Sequence, residues 1–222
     1  MITRREAAMA VLSTLVVASA GGVEAAEAPL AVTLPPPRTA GGMPLLQALK
    51  ARHSTRSYIE RPLPRQTLSD LLWAADGINR RQDGFRTAPS SHSYFDIDLY
   101  LAMADGVWLY DPKGHRLVRH MPDDLRGLTT TGQDFVKTVP LNIIYVSDAS
   151  RMGKDVSASD RVLNGVADSA VIAQNVYLFC ASEGLGAVVR ASVPGAALAK
   201  RMQLKPAQAI YLAQSVGYPK IG

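Results

Sequence analysis

One cysteine, Cys180, stands in a chain of 222 residues. It has no intramolecular partner, so neither a disulfide nor a cysteine-based metal cluster can form. Cys180 falls in an apolar run of helical spacing, where a buried thiol behaves as a small inert hydrophobe. The four histidines, His53, His92, His115 and His120, show no HExxH-type spacing, so no metal site is expected. Basic residues are scattered without a run of five, and the formal charge is only +5. A nucleic-acid partner therefore has no electrostatic footprint here. With 47% hydrophobic and 19% charged residues, the composition is that of one globular domain with a proper core.

The apolar run from Ala7 to Ala20, broken by Ser13, Thr14 and Ser19, is too short for a comfortable membrane span. Thr3-Arg4-Arg5 precedes it as a basic n-region, and Ala18-Ser19-Ala20 or Val23-Glu24-Ala25 can serve as a cleavage site. Residues 1–28 are therefore expected to be a signal peptide with its cleavage region, and the protein to be exported, to the periplasm, without stable membrane insertion. The paired arginines resemble a twin-arginine signal, with Ala7 and Ala8 where that motif prefers bulkier apolar residues. Residues 29–42 hold Pro29, Pro35, Pro36 and Pro37 without apolar periodicity, as a linker or extended arm would. Residues 43–222 form the expected domain.

Pro44 can open a first helix whose stripe, Leu45, Leu46 and Leu49, ends at Arg52. Thr67 or Ser69 can open a second that stops at Gly77. Residues 79–87 read as a polar loop. Residues 97–103, 107–110 and 116–119 alternate around the turn Asp111-Pro112-Lys113-Gly114, which predicts an antiparallel meander. Leu141 to Val146, broken only by Asn142, reads as a buried strand. Ser159 or Asp160 then caps a long helix to about Glu183, apolar nearly all round and so buried on most sides, either in the domain centre or in a subunit interface. Gly184-Leu185-Gly186 ends it. A strand at 187–189, a short helix from Gly195 to Met202 and a last strand at 210–216 follow. Without βαβ alternation, the expected class is α+β with a mostly antiparallel sheet flanked by helices.

Four segments carry chemistry. In Arg52-His53-Ser54-Thr55-Arg56 two guanidinium groups flank a hydroxyl pair just after a helix, a set suited to a phosphate monoester. Arg86-Thr87-Ala88-Pro89-Ser90-Ser91-His92-Ser93 lets backbone and small hydroxyls pass close to a flat ligand. Gly184-Leu185-Gly186 allows similar approach, and Gly217-Tyr218-Pro219-Lys220 is a turn that brings a lysine back toward an anion.

The order of these segments resembles the nitroreductase family, with most likeness to its SagB-like branch of flavin-dependent dehydrogenases. Val107-Trp108-Leu109-Tyr110-Asp111-Pro112 is similar to a hairpin of that branch, and the likeness runs from about Pro44 to Lys220. It implies an FMN protein, a homodimer with two flavins at the subunit interface and an arm that wraps the other subunit. On this likeness Arg52, His53, Ser54 and Arg56 belong to the first flavin segment, holding phosphate, ribityl or the N1/O2 edge. Pro89, Ser90 and Ser91 lie along the flavin, Leu185 and Gly186 approach its ring through backbone groups, and Arg190 and Lys220 meet anions. No catalytic side chain is assigned; His92 and Tyr94 are the nearest proton donors. The implied activity is ping-pong hydride transfer, with NAD(P)H as donor and a nitroaromatic or quinone as acceptor. The alternatives are a non-catalytic flavin- or ligand-binding protein of the same fold, or an azoline-type peptide dehydrogenase. The chain departs from the family pattern at His92, where glycine is common, at Ser93, where asparagine is usual, and at Phe95-Asp96, where the branch has a Tyr-Pro pair.

Overall fold

The computed structural model describes residues 30–220; the expected signal peptide lies outside them. In chain order the elements are β1 (Ala31–Thr33), α1 (Leu45–Ala51), β2 (Tyr58–Ile59), α2 (Arg65–Asp76), β3 (Ile78–Arg80), β4 (Phe85–Arg86), β5 (Ile97–Met103), β6 (Gly106–Asp111) and β7 (Arg116–Met121). Then come β8 (Leu141–Asp148), α3 (Ala158–Ser182), β9 (Gly186–Arg190), α4 (Gly195–Arg201) and β10 (Gln208–Pro219). One sheet runs β1-β7-β6-β5-β8-β10-β2, with β9 also on β10, and its ladders are antiparallel. This is the α+β architecture expected, a large antiparallel sheet flanked by helices, one of them long.

The centre of the sheet is β8, buried along all eight residues. A strand covered on both faces reads as a near-continuous apolar run. Leu141, Ile143 and Tyr145 pack with Ile172, Ala173 and Val176 of α3 on one face. Ile144 and Val146 pack with Leu198 and Met202, at α4, on the other.

Helix α3 starts earlier than the sequence suggests. Ser157 is the N-cap: its Oγ accepts from the Asp160 amide at 3.1 Å and donates to the Asp160 carboxylate at 2.7 Å. Within the single chain only one face of α3 is buried. Its core face is Gly165, Asp168, Ser169, Ile172, Ala173, Val176, Tyr177 and Cys180. Val162, Leu163, Val166 and Val171 are left exposed, as are Leu45, Leu46 and Leu49 of α1, where only Ala48 is buried.

Three other expectations change. Residues 78–86 form the hairpin β3–β4, because Arg80 stacks over the Phe85 ring at 4.8 Å and donates to the Arg86 carbonyl. The terminal turn at 217–220 is instead the end of β10, where Tyr218 and Pro219 pair with β2. The arm is docked on its own chain: β1 pairs with β7, Leu34 is buried, and Arg38 meets the carboxylate of Asp70 in α2. Sheet-edge hydrogen bonds and the ion pairs of Arg38 with Asp70 and Glu183 outweigh its proline content. Among the described residues no helix is long and apolar enough to cross a membrane.

Candidate functional site

Helix α1 ends when the Arg52 amide closes on the Ala48 carbonyl and the chain turns extended. Ser54 then bridges to Ala187 in parallel, and the Thr55 amide donates to the Ala187 carbonyl at 2.9 Å. Extended backbone alternates its side chains. Thr55 points inward, so Ser54 and Arg56 face outward and are exposed. The reason Gly186 is glycine lies here: a Cβ on it would sit 2.7–2.8 Å from the Thr55 side chain. Gly186 thus makes room for the Thr55 side chain, and Leu185 is buried in the core beside it.

Tyr177 on α3 gathers this region. Its hydroxyl lies 3.1 Å from Ser54 Oγ and accepts from the Val189 amide at 2.9 Å, while the Arg52 guanidinium sits over its ring at 5.2 Å. The Lys220 amide donates to the Ser57 carbonyl at 3.0 Å, which brings the exposed Lys220 beside the same segment. Among the described residues no carboxylate pairs with Arg52, Arg56 or Lys220. His53 is exposed and turned back, its Nδ1 2.9 Å from the Ala51 carbonyl. The result is a basic strip along one sheet edge, with no carboxylate paired to it among the described residues. Arg190 is different: its guanidinium is buried, donating to the Thr129 carbonyl at 2.5 Å, to Thr129 Oγ1 at 3.1 Å and to Asn142 Oδ1 at 3.2 Å.

The second segment is tied to another stretch of α3. Ser90 Oγ donates to the Asp168 carboxylate at 2.7 Å and accepts from the Phe95 amide at 2.8 Å. The Ser91 amide and hydroxyl both donate to Asp168, at 2.9 and 3.0 Å. Pro89 is exposed at the loop surface. These bonds hold a strained turn, for His92, Ser93 and Phe95 have φ of 49°, 56° and 46°. Such values are costly for side chains other than glycine, and they cluster at functional loops. His92 is exposed, with its ring 5.3 Å from that of Tyr94. Beneath, Asp96 is fully buried and accepts from Ser147 Oγ at 2.7 Å. Burial, together with the nearby Asp168, pushes its carboxyl up to about 6. Asp76 is paired with Arg86 close by.

The structure therefore brings Arg52, Ser54, Arg56 and Lys220 together, and it anchors Ser90 and Ser91 separately. From Asp168 to Tyr177 along α3 is roughly 14 Å at 1.5 Å per residue. Sequence reasoning missed both anchors. A lone carboxylate in an apolar helical stretch was the available signal for Asp168. Tyr177 gave none, since it completes the apolar stripe.

Solved structures share this fold. The NADPH:FMN oxidoreductase of Vibrio harveyi superposes with a TM-score of 0.59 over 80% of this chain and 69% of its own, at 18% identity, a likeness of fold. A nitroreductase-type protein of Ralstonia eutropha is 40% identical, with a TM-score of 0.83 over 87% of this chain and 91% of that one. A nitroreductase-type protein of Methanocaldococcus jannaschii is 31% identical over 154 residues, 65% of this chain and 76% of that protein. Fold and relatives put the chain among the oxidoreductases. The model of the nitroreductase family matches residues 49–218, and the chain belongs to that family.

Proposed function

We propose that the protein is an FMN-dependent oxidoreductase that accepts hydride from NAD(P)H and passes it to an electron-poor acceptor such as a nitroaromatic or quinone. The observation that carries this reading is the convergence of Arg52, Ser54, Arg56 and Lys220, unpaired with carboxylates, at one sheet edge beside Tyr177. The fit to a flavin phosphate is chemical: guanidinium forks and a hydroxyl are the donors a phosphate monoester accepts from. Two buried polar atoms without partners, Thr55 Oγ1 and Arg190 Nε, flank the same stretch. The flavin, when bound, supplies the two-electron chemistry, and the protein supplies position and electrostatics.

Arg52, Ser54, Arg56 and Lys220 would hold the phosphate and ribityl end. The backbone after Ala187 would line the ring, while Leu185 and Gly186, packed inward, would act by placing that backbone. Asp168 would fix Ser90 and Ser91 as a wall. A homodimer joined through the exposed apolar faces of α1 and α3 would bring contacts from both chains to each flavin. The exposed Leu45, Leu46, Leu49, Leu163 and Val166 support that arrangement, since contiguous apolar surface of this kind marks an interaction face. The basic n-region and apolar run at residues 3–20 support export to the periplasm.

An absorbance spectrum of the purified protein under nitrogen tests the reading. Bound flavin should be visible, bleach with NADPH, and recover when a nitroaromatic or quinone is added. A protein that stays colourless after incubation with excess FMN overturns it.

A further inference from the structure

Arg190 carries a buried positive charge that no described carboxylate balances. Its three acceptor contacts, to the Thr129 carbonyl, Thr129 Oγ1 and Asn142 Oδ1, are all neutral. Among the described residues no carboxylate forms an ion pair with it. Asn142 Oδ1 is shared with Ser215 Oγ, which donates to it at 2.6 Å. Tyr58 is the nearest acidic group, but its hydroxyl donates to the Thr55 carbonyl at 2.5 Å and burial pushes it up, so it remains a neutral phenol. Burial also pulls Arg190 down, to about 10, which leaves it protonated at neutral pH. Its Nε has no hydrogen-bond partner at all.

Burying an ion without a partner is costly, and the field of such an ion reaches further in a low-dielectric interior than in water. Arg190 is also part of the wall of a cavity of about 330 Å³, formed with Ala170, Gln174 and Tyr177 of α3, Val189 of β9 and Leu212 of β10. Tyr177 joins this cavity to the basic segment at Ser54. An apolar cavity backed by an unbalanced cation favours an occupant that is, or becomes, negative.

We propose that Arg190 is a positioning residue whose unbalanced charge behind the cavity wall favours the reduced, anionic form of the bound flavin over the oxidised form. The inference rests on the flavin reading above. A hydride moving from the donor brings two electrons and one proton to the ring, the donor leaves oxidised, and the ring keeps one negative charge. That charge is what Arg190 would meet.

The test is the midpoint potential of the bound flavin, measured by anaerobic dye-coupled titration, together with flavin affinity. Arg190→Met should lower the preference for the reduced form at least tenfold, a fall of about 30 mV for a two-electron couple. Arg190→Lys, which keeps the charge, should retain most of the wild-type potential although its bonds to Thr129 are altered. Arg190→Gln carries the comparison should Arg190→Met not fold. A potential unchanged in Arg190→Met or Arg190→Gln, with flavin still bound, overturns the inference and leaves the functional reading standing. Failure of the wild type to bind flavin overturns both.

Discussion

At the scale of single residues, the site depends on a few side chains released from structural duty. Arg56 is exposed and unpaired, whereas Arg190, Arg86 and Arg38 are each committed to bonds within the fold. If Arg56 serves the phosphate, Arg56→Ala removes a charge-assisted bond worth about 2 kcal/mol, roughly thirtyfold in affinity. Flavin content after purification and the Kd for added FMN should both show the loss, while thermal stability of the flavin-free protein should not change. Equal FMN affinity in the variant would mean that the phosphate lies elsewhere. The basic segment was legible at this scale, because guanidinium spacing is a property of sequence. The partners Tyr177 and Asp168 were not. Each lies on a helix far along the chain, and only packing puts a phenol beside Ser54 and a carboxylate beneath Ser90.

At the scale of elements, α1 and α3 each present apolar residues to the surface that no part of the described chain covers. Leu46 is 79% exposed and Leu163 64% exposed, values far from those of core leucines such as Leu71 and Leu72. Helical periodicity identified these stripes without deciding between the domain centre and a subunit interface, since periodicity records that a face is apolar and not what buries it. A second copy of the chain is the reading we favour. Leu46→Glu and Leu163→Glu together should give a monomer by sedimentation velocity, with reduced flavin content, because the site would lose contacts from its partner. A dimer that persists in the double variant would place the interface on another surface. The strands were easier to read. The alternation at residues 97–121 and the unbroken apolar run of β8 both follow from burial of one face or two.

At the scale of the whole molecule, the arm closes the structure through His115. Its backbone carbonyl accepts from the Leu34 amide, and its ring sits between Ser69 Oγ at 2.6 Å and Tyr110 Oη at 3.0 Å. Ser69 Oγ donates to the Pro35 carbonyl, so the imidazole Nε2 is the donor to Ser69 and Nδ1 accepts from Tyr110. A neutral ring satisfies this chain of bonds; an imidazolium would make Tyr110 the acceptor and take away the nitrogen lone pair that its hydroxyl proton meets. Burial holds the His115 pKa below its ordinary 6.5. The unfolded chain then binds the extra proton first, so this contribution to stability is complete above about pH 6.5 and declines as pH falls below it. Chemical denaturation between pH 7.5 and 5 should show that slope superimposed on the opposite contribution of the raised Asp76 and Asp96 carboxyls, so it is read as the difference between wild type and variant. His115→Asn, which tolerates the residue's φ of 44°, should flatten it. An unchanged slope would remove His115 as its source.

Local chemistry was enough to establish the α+β class, the order of helices and strands, the basic segment at Arg52 to Arg56 and the inert setting of Cys180. Each follows from short-range periodicity, capping or residue type. Tertiary packing alone decided that β10 runs straight through Pro219, that the proline-rich arm joins the sheet, and that Gly186 makes room for Thr55. It also decided that the second segment hangs from Asp168 and that Arg190 is buried without a counter-charge. These outcomes depend on which distant surfaces meet, and burial, not spacing along the chain, sets what a charge or a glycine does there.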